Sequence, residues 1–345
     1  MRVLHAVRCC SAALAVALGL CLAVMGIPAA AQPAAPTTGA PDIRDLEAMV
    51  VSGTRPGPGM WKVTKADHVL HILGTVSPLP RRMDWNSSAV EAVIARSQAV
   101  IEAPYVAVNS DIGMFRGLAL VPAMLRARNN PAKRPLREVV SADLYARWEV
   151  LKARYMGHDR GVEKRRPLVA AQELYEAALK KSGLRMTGVV APVVRKAAKD
   201  AGVPLVESKV ALTLEDPKAA LKELNDSDLA DRECFAGTMA RIETDLDNMR
   251  ARANAWADGD LEALRALPYE DHYRSCAEAL TTSAIARRLG FDDLRARADA
   301  AWLANVDKAL ADNAVSFAVL PMSQLMADDG LLAQLRARGY DVQAP

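Results

Sequence analysis

Aromatic side chains make up only 5% of this sequence. That scarcity argues against a stacking platform for sugar rings or nucleobases. Charge of one sign is not in excess either. The formal net charge is +3, and it drops to +1 if the first 31 residues, which carry Arg2 and Arg8 and no acid, are removed. Such a balance makes no overall electrostatic case for nucleic acid or for an anionic membrane. There is no phosphate-binding loop and no dinucleotide glycine fingerprint, and no internal repeat. Cysteine is sparse: Cys9, Cys10 and Cys21 fall in the leader, which leaves Cys234 and Cys276 in the body of the chain. Two cysteines in strongly helical sequence suggest one disulfide between neighbouring helices or two buried thiols. They are too few for a metal site of their own.

Only one long apolar run is present. Cys9 to Ile27 follows Arg2 and Arg8 and precedes Ala29-Ala30-Ala31. A positive start, an apolar middle and a small-residue exit predict a signal peptide cut after Ala31. The exported chain would be 345 less 31, or 314, residues long, periplasmic or secreted, with no further membrane span. Residues 32–59 are rich in Pro, Ala, Gly and Thr and read as a linker. The domain is placed at 60–345.

An apolar content of 51% supports a sizeable core. Trp61-Lys62-Val63-Thr64, the turn Lys65-Ala66-Asp67 and the run His68 to Gly74 predict a β-hairpin. Pro78-Leu79-Pro80 predicts an irregular loop, and Asn86 or Ser87 caps a helix running to about Arg96. A short strand, Ala99 to Glu102, completes a strand–helix–strand unit that implies parallel pairing. Helical patterns fill about 112–200, and Val203 to Glu207 is another short strand, with Pro204 at its first turn or an edge. Phe235, Met239, Ile242, Leu246, Met249, Ala253 and Trp256 recur at coiled-coil spacing and predict one long helix. A helix near Asp293 to Asp312, a strand Ser316 to Leu320, a short helix from Gly330 and a terminal strand Tyr340 to Val342 complete the chain. The fold class expected is α/β. A small mixed sheet is built from N- and C-terminal segments, with a large α-helical insertion at about 112–310.

Several short motifs occur in a recognisable order: Met60-Trp61-Lys62-Val63, Leu73-Gly74-Thr75-Val76-Ser77, Arg166-Pro167-Leu168, Val206-Glu207, Ala255-Trp256-Ala257-Asp258-Gly259-Asp260, and Asp329-Gly330-Leu331-Leu332 through Val342. In this order and spacing the chain resembles the TraB/GumN family, which includes Tiki-type membrane proteases, over about 60–343. The resemblance implies two Gly-x-x-His motifs meeting at the sheet and, with acids at strand ends, a divalent-metal hydrolase site. Carried onto this chain, the first motif is Gly74-Thr75-Val76-Ser77 and the second Pro321-Met322-Ser323-Gln324. Both histidines are absent. Ala298 and Asp299 stand where the family often has an Arg-Asn pair before the tryptophan, here Trp302. Glu102 and Glu207 match the strand-end acids, and alone they would hold a hard cation weakly.

The candidate catalytic residues are therefore Glu102, Glu207 and Ser77, with Gly74, Ser77, Gln324 and Arg81 as binding candidates and no metal ligands assigned. Ser77 reads as a nucleophile or a structural loop serine, and no activating elbow surrounds it. His71, six residues before it, is placed to share its face. His68 and His71 fall on opposite faces of one strand and do not make a metal pair. His158 and His272 read as surface residues. Arg81 and Arg82 suit an acidic ligand or solvent. No cofactor is expected. The expected role is binding of a small molecule, peptide or envelope protein by a hydrolase scaffold that has lost its catalytic centre. The alternatives are a metal-dependent peptidase or hydrolase of the cell envelope, and an auxiliary factor in envelope or exopolysaccharide export.

Overall fold

A computed structural model of the chain describes residues 56–109, 114–213, 216–219, 222, 231–267 and 293–345. The expected signal peptide, most of the expected linker, His272 and Cys276 lie outside the described residues. The chain opens with strands β1 (Met60–Lys65) and β2 (His68–Thr75), antiparallel as the hairpin pattern requires. Next come the short β3 (Leu79–Pro80), helix α1 (Ser88–Ala95), β4 (Val100–Ile101), β5 (Tyr105–Asn109) and α2 (Met114–Ala127). Helices α3 (Ala142–Tyr155) and α4 (Pro167–Lys181) lead to β6 (Leu184–Arg185), α5 (Val190–Asp200), β7 (Leu205–Val206) and β8 (Lys209–Thr213). Helices α6 (Asp231–Thr244), α7 (Leu246–Ala257), α8 (Leu261–Ala266) and α9 (Leu294–Asp312) follow. The chain finishes with β9 (Val315–Pro321), α10 (Met322–Met326), α11 (Leu331–Ala337) and β10 (Asp341–Gln343).

The main sheet has the order β10-β1-β2-β9-β4-β7. Strands β2, β9, β4 and β7 are parallel, while β1 and β10 add an antiparallel edge. The α/β class and the two-ended sheet are thus as expected. One detail differs: β2 and β4 do not pair with each other. The C-terminal β9 inserts between them and pairs parallel to both. Its run Ser316-Phe317-Ala318 and Leu320 are wholly buried, and such a run is most stable at the sheet centre. Pro204 precedes β7 on the sheet's edge, where a missing backbone donor costs nothing. The Pro78-Leu79-Pro80 segment is not a free loop, because Leu79 and Pro80 pair antiparallel with Arg185 and Leu184. At the end of the linker stretch, Gly57 and Pro58 are buried.

Two cores result. One surrounds the sheet and holds Trp61, Trp85, Trp256 and Trp302. The other lies among α3, α4, α6 and α7 around Trp148, Leu174 and Phe235. The long apolar stripe expected as one helix is divided by a bend at Asp245 between α6 and α7. The Thr244 hydroxyl donates back to the Ala240 carbonyl at 2.8 Å, a contact that bends helices. The Asp245 carboxylate turns inward between buried Arg252, at 2.7 Å, and buried Arg241, at 3.6 Å. The bend lets one stripe serve both cores. Phe235, Met239, Ile242 and Met249 pack in the helical core, and Ala253 and Trp256 in the sheet core.

At the sheet's antiparallel edge, the Tyr340 hydroxyl donates to Asp307 at 2.7 Å. Burial, that hydrogen bond and the Asp307 charge push the phenol up to about 12, against the pull of Arg338. A folded-state pKa above the unfolded 10 stabilises the fold fully below pH 10 and is lost as pH rises toward 12. The urea midpoint of the wild type should therefore fall more steeply than that of Tyr340→Phe over this interval. Parallel curves would exclude the linkage.

Candidate functional site

Parallel strands bring their C-terminal ends to one side of a sheet, where open α/β folds bind ligands. Here β2 ends at Thr75 and β9 at Pro321, which are register partners. Next to them β4 ends before Glu102, whose backbone N–H donates to Val206 at the end of β7. A cavity of about 480 Å³ opens at this edge. Its wall is mostly apolar and includes Val76, Leu79, Val190, Val194 and Val319, with Ser77, Glu102, Tyr105, Arg185 and Arg195 among its polar groups.

Gly74 sits behind the cavity, where a side chain would press on its neighbours. A Cβ there would lie 2.7 Å from the Met322 methyl, 2.8 Å from Leu325 and 3.0 Å from Trp61. Its carbonyl accepts a 2.6 Å hydrogen bond from the Trp256 indole. Gly74 is thus a packing joint between β2, α10 and α7, and the chain beyond it is held in place for Ser77. The Ser77 hydroxyl donates to the Met186 carbonyl at 2.7 Å. This ties the exit of β2 to the loop between β6 and α5, which forms one rim of the cavity. A carbonyl cannot take the hydroxyl proton, so the contact has the character of a tether and not of an activated nucleophile. Within the same loop, Gly188 has φ +82°, and a Cβ there would overlap the Arg185 guanidinium. The Arg185 side chain also donates to the Thr187 carbonyl.

Glu102 is only 17% exposed and accepts from Arg195 Nε at 2.8 Å, while Arg195 itself is 61% exposed. The carboxylate is therefore held on the wall by a cation standing in solvent. Glu207 does not line the cavity but is linked to it by Tyr105. Partial desolvation of the ring holds the Tyr105 phenol above its ordinary 10. A hydrogen bond to Glu207 and the charges of Glu207 and Glu102 add to this, opposed by Arg195.

The remaining expected residues lie elsewhere. Gln324 is buried on α10 and does not line the cavity. Its side-chain amide lies against the Arg295 guanidinium of α9, which pairs with Asp299 at 3.1 Å. The two motif turns leave adjacent strands yet diverge, Ser77 toward the α5 loop and Gln324 toward α9. Arg81 braces the β3–β6 pair through the carbonyls of Gly183 and Leu184, and exposed Arg82 also lies outside the cavity wall. His71 is not beside Ser77. It is half-buried near Arg96 and Lys62, and burial first, then these two cations, lower its pKa below 6.5. His68 contacts the Asn313 carbonyl at 2.8 Å, and His158 is exposed. Cys234 is buried on α6. Among the described residues no three His, Cys, Asp or Glu side chains form a metal-holding group.

Tyr105, Arg185 and Arg195 were not singled out by sequence reasoning. Tyr105 stands three residues after Glu102, a spacing that gave some warning. Arg195 lies 93 residues from its partner, and no local pattern announces such a contact.

The model of the TraB/PrgY/gumN family matches residues 59–344. The chain belongs to this family. No curated protein and no solved structure matches it. The TraB/PrgY/gumN match runs from β1 to β10, so the helices between the two ends of the sheet are part of the family domain. Among the described residues no helix is long and apolar enough to cross a membrane.

Proposed function

We propose that this chain is a divergent, exported TraB/GumN protein of the Tiki-like group that binds a compact apolar ligand, or an apolar peptide side chain, in the cavity at the C-terminal sheet edge. In this reading it has lost metal-dependent hydrolysis. The observation that carries the reading is the state of the wall groups. Ser77, at the first expected histidine position, spends its hydroxyl on the Met186 carbonyl, and the Glu102 carboxylate is held by Arg195. Gln324, at the second position, is buried against Arg295 and lies off the cavity wall. A neutral hydroxyl and a neutral amide are poor ligands for a catalytic transition metal, and the one carboxylate on the wall is already paired. The apolar wall, with a few polar groups at one end, is the usual make-up of a small-molecule site.

Octanoate is a suitable probe, with a tail for Val76, Val190 and Val194 and a carboxylate for Arg185 or Arg195. Ala191 lines the cavity yet is exposed, so Ala191→Trp fills the space without disturbing the core. Calorimetric titration should show octanoate binding to the wild type and an affinity reduced by about tenfold or more in the variant. Equal affinities would reject the cavity as the site.

A second reading, a metal-dependent peptidase, draws on the two carboxylates that flank Tyr105. It requires hydrolysis that depends on added divalent metal and disappears in Glu102→Ala. A Cys234–Cys276 disulfide belongs with the exported reading, and thiol alkylation before and after reduction would reveal it or rule it out.

A further inference from the structure

Helix α2 is apolar in sequence and stands exposed among the described residues. The eight residues Leu118 to Leu125 carry no charge, and every residue from Leu118 to Arg126 is exposed or half-buried. Leu118 is 63% exposed, Met124 54%, Leu125 51% and Val121 42%. Single exposed apolar residues are ordinary, but a contiguous patch of them marks an interaction surface. A helix with an apolar body requires a cover.

The surrounding charge identifies the cover. Between Asp111 and Glu138 the chain has no acid, but it has Arg116, Arg126, Arg128, Lys133, Arg134 and Arg137. Arg128 is paired with Glu173 and Arg134 with Glu138. Arg126, Lys133 and Arg137 are exposed and form no ion pair among the described residues. The near-neutral total for the chain hides this local run of one sign. A second copy packed α2 against α2 would set cations against cations. An anionic lipid surface offers both components of the match, acyl chains for the apolar body and phosphates for the cations.

We propose that α2 docks the protein on an anionic phospholipid bilayer, lying in the interface plane. Leu118, Val121, Met124 and Leu125 enter the acyl boundary, and Arg126, Lys133 and Arg137 meet the headgroups. The 14 residues of α2 span about 21 Å, too short to cross a bilayer and long enough to lie along one. This goes beyond the cavity reading and does not depend on it.

The test is co-sedimentation of the processed protein, its N-terminus checked by intact mass, with phosphatidylcholine vesicles with and without phosphatidylglycerol. Binding should require phosphatidylglycerol and weaken as salt rises. Leu118→Ser/Met124→Ser/Leu125→Ser should abolish binding. Its far-ultraviolet spectrum and melting curve should match those of the wild type, because these side chains are exposed. Arg126→Gln and Lys133→Gln should each lower partitioning about fivefold. The proposal is overturned if phosphatidylglycerol vesicles do not bind the protein, or if the triple variant binds as the wild type does. It is equally overturned if sedimentation velocity shows a dimer that the triple variant dissociates, since α2 is then covered by a second copy.

Discussion

Trp256→Ala should cost about 3–5 kcal/mol of stability, the usual cost of removing a large buried aromatic. Trp256 is 1% exposed and packs against Trp85 with ring centroids 5.2 Å apart. It also donates the 2.6 Å hydrogen bond to Gly74 that links α7 to the end of β2. The alanine variant opens a cavity beneath the sheet and leaves a buried carbonyl without its donor. Trp256→Phe separates the two effects in large part: it keeps most of the packing and removes the hydrogen bond, for about 1–3 kcal/mol. Urea unfolding reads both values. An alanine variant as stable as the phenylalanine variant would mean that the packing around Trp256 is not what secures this joint.

The second large effect is expected at the bend between α6 and α7. Asp245→Ala leaves the buried Arg241 and Arg252 guanidiniums close together without the carboxylate between them. Breaking a buried ion pair from one side costs about 3–5 kcal/mol. Arg241 also lies over the Tyr175 ring at 5.2 Å, a contact that remains but does not neutralise the charge. In a double-mutant cycle, Arg252→Met should cost less in the Asp245→Ala background than in the wild type. Additive costs would show that the pair is not coupled.

These two sites also mark how far the sequence could be read. The hairpin from Met60 to Thr75, the buried run Ser316 to Leu320 and the terminal strand are set by local patterns of apolar residues and turns, and they form as expected. The coiled-coil spacing from Phe235 to Trp256 foretold the buried stripe, except that Leu246 at the bend is half-buried. It did not foretell the bend, because the bend depends on Asp245 meeting Arg241 and Arg252 in the interior. The place of β9 between β2 and β4 was equally hidden, since strand order is decided by contacts across more than 200 residues. At the site, Gly74, Ser77 and Glu102 were legible as strand-end residues, and the fold brings Ser77 and Glu102 to one cavity. Gln324 was legible as the counterpart of Ser77 but not as a partner of Arg295. Arg195 and Tyr105 become visible only when α5 and β5 are folded against the sheet edge.

Binding in the cavity should be of an apolar ligand and independent of metal. Its most direct test is octanoate titration of the wild type and Ala191→Trp in chelator and again in excess manganese. The wild-type affinity should be the same in both conditions, with a loss of about tenfold or more in the variant. Wild-type binding that appears only with manganese and vanishes in Glu102→Ala would contradict it.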